Sequence, residues 1–144
     1  MDITVGLLGV HSENYFAREY GVYEDCLSKL RALGEKVGFK VTSAPLVTCV
    51  GEAKAAREAF EAQGIDYLMI LTAGFSMGDV ILSLEDTPWP LGVWAVPEPT
   101  QTGDIRLHSL VSANMYMSII RKCFKTKPFV KWFYGPGDDP EFIQ

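Results

Sequence analysis

With 144 residues and 48% hydrophobic content, the chain can bury one ordinary core, which argues against disorder and for a single domain. A formal charge of -5 and a pI near 5.0 leave no broad cationic surface, so neither nucleic acid nor an anionic membrane is an expected partner. Three cysteines at wide spacing, Cys26, Cys49 and Cys123, match neither a disulfide framework nor a zinc ribbon and read as reduced, packed thiols.

Ile3 to Gly9 is a short apolar run of the kind that makes a strand buried on both faces. No basic leader precedes it and no apolar run approaches bilayer length, so the cytoplasm is the expected compartment. A polar loop, His11 to Phe16, follows. From Val22 to Val37 the residues Val22, Cys26, Leu30, Leu33 and Val37 recur at helical spacing, and Gly38 stops the helix. Phe39 to Val47 is expected as the second strand, and Gly51 to Gln63, rich in Ala, Glu, Lys and Arg, as the second helix, ended by Gly64. Tyr67 to Thr72 is a third strand, Ser76 to Leu84 a short helix, Leu91 to Val96 a fourth strand, Ser109 to Phe124 a helix and Phe129 to Tyr134 a fifth strand.

Alternation of strand and helix predicts an α/β domain. Right-handed crossovers with helices on both faces then give a doubly wound five-stranded parallel sheet in the flavodoxin-like order 2-1-3-4-5, with the last helix missing or truncated. Residues 1-134 form this domain and 135-144 a linker or the start of the next element. In that tail Asp139 suits an N-cap, Pro140 the first helical position and Glu141 the first turn. A helix announced so late implies either the N-terminal part of a longer protein or a bare sheet face covered by a partner. The basic run Arg121, Lys122, Lys125, Lys127 and Lys131 reads as a solvated helix end that complements the helix dipole.

In a doubly wound sheet, ligands sit at the carboxyl ends of the strands, near the switch in strand order. That rule selects His11, Glu13, Asn14, Tyr15, Phe75, Glu98, Gln101, Arg106 and His108 as candidate substrate-binding residues. The long connection from Val96 to Ser109 deserves weight because loops of that length more often bind or close than merely connect. Arg106 can clamp a carboxylate, a phosphate or sugar hydroxyls, or simply pair with Asp104 or Glu98. Ser109 reads as the N-cap of its helix.

Gly74-Phe75-Ser76-Met77-Gly78 matches the glycine-flanked serine of a nucleophile elbow. The only histidine after Ser76 is His108, with Asp104 in the same loop, so an acid and a base on separate later strand ends are lacking. Ser76 reads better as a helix cap, with Asp79 as the acidic half of a capping-box-like start. Neither a Walker loop nor a dinucleotide glycine fingerprint occurs. The two histidines with Glu13, Glu98 or Asp104 are too scattered to predict a metal centre.

Trp94-Ala95-Val96-Pro97-Glu98-Pro99, then Gly103, Arg106-Leu107-His108-Ser109-Leu110, Asn114 and Lys131-Trp132-Phe133-Tyr134-Gly135-Pro136-Gly137-Asp138-Asp139-Pro140, resemble the N-terminal region of L-fucose isomerase-like and L-arabinose isomerase-like proteins. Val5-Gly6-Leu7-Leu8-Gly9 resembles that family's opening strand, so the likeness covers essentially the whole chain. It departs at His108 and Ser112, where the pattern has asparagine and glycine. The resemblance implies a domain of a metal-dependent aldose-ketose isomerase, acting on a small sugar in a homo-oligomer. It also implies that the divalent ion, usually manganese, is held by a downstream catalytic domain or separate partner chain, with no catalytic or metal residue in this chain. By position, the His11 to Tyr15 loop, Phe75 and the Glu98 to His108 loop would contact the sugar. A stand-alone module for a sugar or phosphate, and a serine hydrolase with Ser76 as nucleophile, are the alternatives.

Overall fold

The computed structural model describes residues 2–144. Five strands and four α-helices alternate along the chain: β1 (Ile3–Val10), α1 (Val22–Val37), β2 (Phe39–Ser43), α2 (Val50–Gln63), β3 (Tyr67–Thr72), α3 (Gly78–Leu82), β4 (Leu91–Ala95), α4 (Ser109–Cys123) and β5 (Val130–Tyr134). All neighbouring strands are parallel, in the order β2-β1-β3-β4-β5. This is the flavodoxin-like doubly wound sheet, with a short 3-10 turn over Pro140–Ile143 where a fifth helix is expected.

Register explains why the central strands read as unbroken apolar runs. Leu8, Ile70 and Val93 form one cross-sheet row, buried beneath α2, α3 and α4 with Phe60, Ile81 and Tyr116. The next row, Leu71 and Trp94, faces the opposite way, toward Cys26 and Leu30 of α1. Side chains alternate between two cores, so both faces of the sheet need apolar residues. Glycine supplies room where α1 crosses β1: a Cβ on Gly9 would stand 2.3 Å from the Tyr23 ring.

Several boundaries shift for identifiable reasons. Regular pairing of β2 ends at Ser43 because Pro45 lacks an N–H, and the chain rejoins β1 only through a bridge between Val47 and Val10. α3 begins at Gly78 after an N-cap at Met77, and Ser76 does not cap it. His108, not Ser109, occupies the N-cap of α4. Of the three free cysteines only Cys26 is packed; Cys49 and Cys123 are exposed. Burial among apolar groups pushes the Cys26 thiol up to about 12, so it behaves as a core residue.

The tail covers part of the face that a fifth helix would occupy. Asp139 caps its turn by accepting from Glu141 N–H at 2.9 Å, as the local sequence predicts. Phe142 then packs on Trp94 and Phe133, with ring centroids 4.5 and 4.9 Å apart. The Trp94 indole N–H donates to the Gly135 carbonyl at 2.8 Å, which anchors the strap at its start. Among the described residues no helix is long and apolar enough to cross a membrane.

Candidate functional site

The carboxyl ends of β1, β3 and β4 converge, and backbone hydrogen bonds tie their loops together. Phe16 N–H donates to the Arg106 carbonyl at 3.2 Å, and Phe75 N–H to the Leu107 carbonyl at 2.6 Å. The Cβ position of Gly74 lies 3.4–3.5 Å from Leu107 O, Ala17 Cβ and His11 Cβ, so the three loops meet around this glycine. Three aromatic side chains gather above it. Tyr15 stands 5.4 Å from Phe75 and 5.1 Å, edge-on, from His108.

The long β4–α4 loop owes its shape to Glu98. Its carboxylate accepts from the backbone N–H groups of Arg106 and Leu107 at 2.9 Å and of His108 at 2.8 Å. Those donors lie in the two residues before α4 and at its N-cap, and the first turn of the helix contains no acidic residue of its own. A carboxylate brought from eight to ten residues upstream therefore satisfies three consecutive backbone N–H groups of the segment that leads into α4 and places a negative charge near the positive end of the helix dipole. His108 is held at φ 55°, a left-handed conformation uncommon outside glycine.

Ser109 secures the same junction from beneath. Its hydroxyl donates to the Thr72 carbonyl and accepts from Val96 N–H at 2.8 Å, while the Thr72 hydroxyl lies 3.0 Å from the Ser109 carbonyl. The start of α4 is thus fastened to the ends of β3 and β4 by buried polar contacts. A buried hydroxyl with all its bonding capacity used is a structural strut, since breaking any one bond strands a polar atom.

The remaining candidates are distributed unevenly. His11 is buried, and neither imidazole nitrogen has a hydrogen-bond partner. Burial holds its pKa below the ordinary histidine value, opposed by the nearby Glu13 carboxylate, whose Oε1 lies 3.8 Å from Nε2. Glu13 itself is exposed and bonded to Arg18 at 3.2 Å. Asn14 is exposed, with its backbone N–H directed at Ser12 Oγ. Gln101 is exposed in the long loop. Arg106 pairs with neither Asp104 nor Glu98 through its guanidinium; that group lies over the Phe16 ring, 5.1 Å from its centroid.

Phe16 is a site residue that pattern reading overlooked, although a second aromatic beside Tyr15 in an otherwise polar loop was a signal. Pro97 and Pro99 line a cavity of about 210 Å³ with Tyr20, Cys26, Val96 and Leu107, on the α1 side of the same strand ends. Ligand pockets commonly span roughly 300–1,000 Å³, so this hollow suits a small ligand or part of a larger one.

Ser76 lies outside this constellation. It is buried, its Oγ accepts from the Tyr116 hydroxyl at 2.6 Å, and its N–H donates to Ser112 Oγ at 3.1 Å. No histidine hydrogen-bonds to it, so the glycine-flanked serine lacks the general base of a nucleophile elbow. Among the described residues no three His, Cys, Asp or Glu side chains gather as a metal-binding set. A scan of the sequence against protein-family models matches none of them, and a search of curated proteins returns no significant match.

Proposed function

We propose that this chain is the substrate-contact and oligomerisation domain of a metal-dependent aldose-ketose isomerase of the L-fucose/L-arabinose type, not catalytic by itself. One observation carries the reading: Tyr15, Phe75 and His108, from three different strand-end loops, form a single aromatic surface at the switch point of the sheet. Aromatic faces stack on the apolar face of a sugar ring, while Arg106 and Asn14 at the rim supply donors for hydroxyl groups. Aldose-ketose interconversion needs a base matched to the transferred proton and a stabilised enediolate. Neither is assembled here, so the proposal assigns those parts, and the divalent ion, to a catalytic domain supplied by a downstream segment or a partner chain.

The test combines turnover with mapping. Purified chain given manganese with L-fucose or L-arabinose should show no isomerisation, while amide spectra should shift at Tyr15, Phe75 and His108. Metal-dependent turnover by this polypeptide, or shifts confined to another face, would overturn the proposal.

A second reading has its own support, because the cavity lined by Val96, Pro97, Pro99 and Leu107 is formed wholly by this chain. A stand-alone module would bind a small sugar or phosphate there without turnover. Titration calorimetry separates the two: saturable binding that survives Tyr15→Ala and is lost in Leu107→Trp favours the module.

A further inference from the structure

The two edges of the sheet are built differently. On β2 the outward polar side chains are tied to their own chain: Lys40 to Asp2, Thr42 to Gln63 and Ser43 to Arg31. On β5 two of the three exposed side chains are aromatic, Trp132 at 54% and Tyr134 at 44% exposure, with Lys131 just before them and Phe129 at 63% just before the strand. The buried row Leu8, Ile70 and Val93 ends in this strand, since Trp132 is the register partner of Val93. One more strand would complete that row.

Backbone geometry defines what the edge can accept. Leu91 N–H donates to the Phe129 carbonyl, and Gly135 N–H to the Ala95 carbonyl, at the two ends of the β4–β5 ladder. In a parallel ladder alternate residues face the same neighbour, so 129, 131, 133 and 135 bond to β4. Val130, Trp132 and Tyr134 therefore direct their N–H and C=O groups away from the sheet. Unpaired edges of this sort template another strand, and only a peptide backbone supplies the matching donors and acceptors.

Charge then selects the peptide. A groove of about 380 Å³ runs between Trp132 and the last turns of α4, lined by Ala113, Met117, Arg121 and Lys122. Lys125 and Lys127 follow this cationic end of the helix, while Lys131 lies on the other face of the sheet beside Phe133 and Phe142. Among the described residues none of the four cations Arg121, Lys122, Lys125 and Lys127 forms an ion pair, in a chain whose net charge is -5. Glu85 is the adjacent acid, and its carboxylate is engaged by the Lys125 backbone N–H at 2.9 Å.

We propose that the free edge of β5, with the cationic end of α4, is a docking site for an acidic peptide segment of another protein, which adds to the sheet as a sixth strand. Main-chain pairing with Val130, Trp132 and Tyr134 supplies the attachment, and Arg121 and Lys122 select carboxylates on the α4 side. This inference is independent of the sugar site, which lies at the strand ends and not along the edge.

A capped heptapeptide, Glu-Val-Glu-Val-Glu-Val-Glu, is a direct probe, with a Lys-for-Glu version and a version carrying proline at its centre as controls. Binding is expected for the acidic peptide, at least tenfold weaker for each control and for the Arg121→Glu/Lys122→Glu variant. At saturation the amides of Val130, Trp132 and Tyr134 should exchange more slowly, while those of Lys131 and Phe133, already bonded to β4, stay unchanged. The charge-reversed residues are exposed, and the circular dichroism and melting temperature of the variant establish that it is folded. Absence of binding, equal affinity for either control, tighter binding of a short oligonucleotide, or a dimer that occludes the same amides would overturn the proposal.

Discussion

Glu98 Oε1 accepts a hydrogen bond from the backbone N–H of His108 at 2.8 Å, ten residues along the chain. The other oxygen of the same carboxylate accepts from Arg106 and Leu107. The long β4–α4 loop is thereby closed onto the segment that enters α4, and His108, the N-cap, sits in its left-handed conformation beside Tyr15. Backbone conformations of this kind persist only where the surroundings enforce them.

Glu98→Gln should loosen this closure, because an amide offers one accepting oxygen and turns an NH₂ toward the same donors. Loss of charge-assisted hydrogen bonds at a half-buried site costs about 1.5–3 kcal/mol. Denaturant titration should show that loss, with faster amide exchange at residues 106–108. Unchanged exchange there would mean that the loop is held by something other than Glu98.

Tyr116→Phe isolates the role of Ser76. Removing the donor leaves the buried Ser76 Oγ without its partner, at a cost of about 1–2 kcal/mol, or a melting temperature lower by roughly 2–4 °C per kcal/mol. Burial raises the Tyr116 pKa well above the usual phenol value, so it remains a donor at all ordinary pH. The double variant Tyr116→Phe/Ser76→Ala should recover part of the loss. Covalent labelling of Ser76 by a fluorophosphonate would contradict this arrangement outright.

His11 predicts a pH dependence of stability. Its folded pKa is lowered by burial, so the unfolded chain binds the proton more readily than the folded one. Stability from this group is complete above the unfolded value near 6.5, falls as pH drops through it, and levels off below the lowered folded value. His11→Leu should flatten the melting temperature between about pH 7 and 5 without loss at pH 7.5, because neither ring nitrogen has a partner to strand. A slope that survives the substitution would assign it to another group.

The strap is tested by Phe142→Ala. Phe142 is half-buried against Trp94 and Phe133, and losing that contact should cost about 1–2 kcal/mol on an apolar-area basis. Trp94 should become solvent-accessible, read as a red shift and stronger quenching of its fluorescence. Identical spectra would place the strap elsewhere in solution.

Much of the fold follows from local pattern. Apolar runs such as Tyr67–Thr72 and helical spacing from Val22 to Val37 specify their elements nearly to the residue, because burial on two faces or one stripe leaves a one-dimensional trace. Parallel order and the switch point then follow from crossover rules. The site was less legible. Grouping His11, Tyr15, Phe75 and His108 by strand-end position is a topological inference, but which of them touch depends on contacts between residues 15, 75 and 108, which share no local pattern.

The element sequence, the two-faced core and the capped start of the final turn were thus legible in the sequence itself, since each depends on periodicity and on neighbours a few residues apart, and crossover rules extended that reading to the strand order. Only the tertiary structure decided the rest. It made Glu98 the clasp of the segment entering α4, buried His11 without partners, turned Ser76 into a core acceptor and left Trp132 at an open edge. The physical reason is common to all four: hydrogen-bond satisfaction and exposure are set by groups far apart in the chain, which only the closed sheet brings to within a few ångströms of one another.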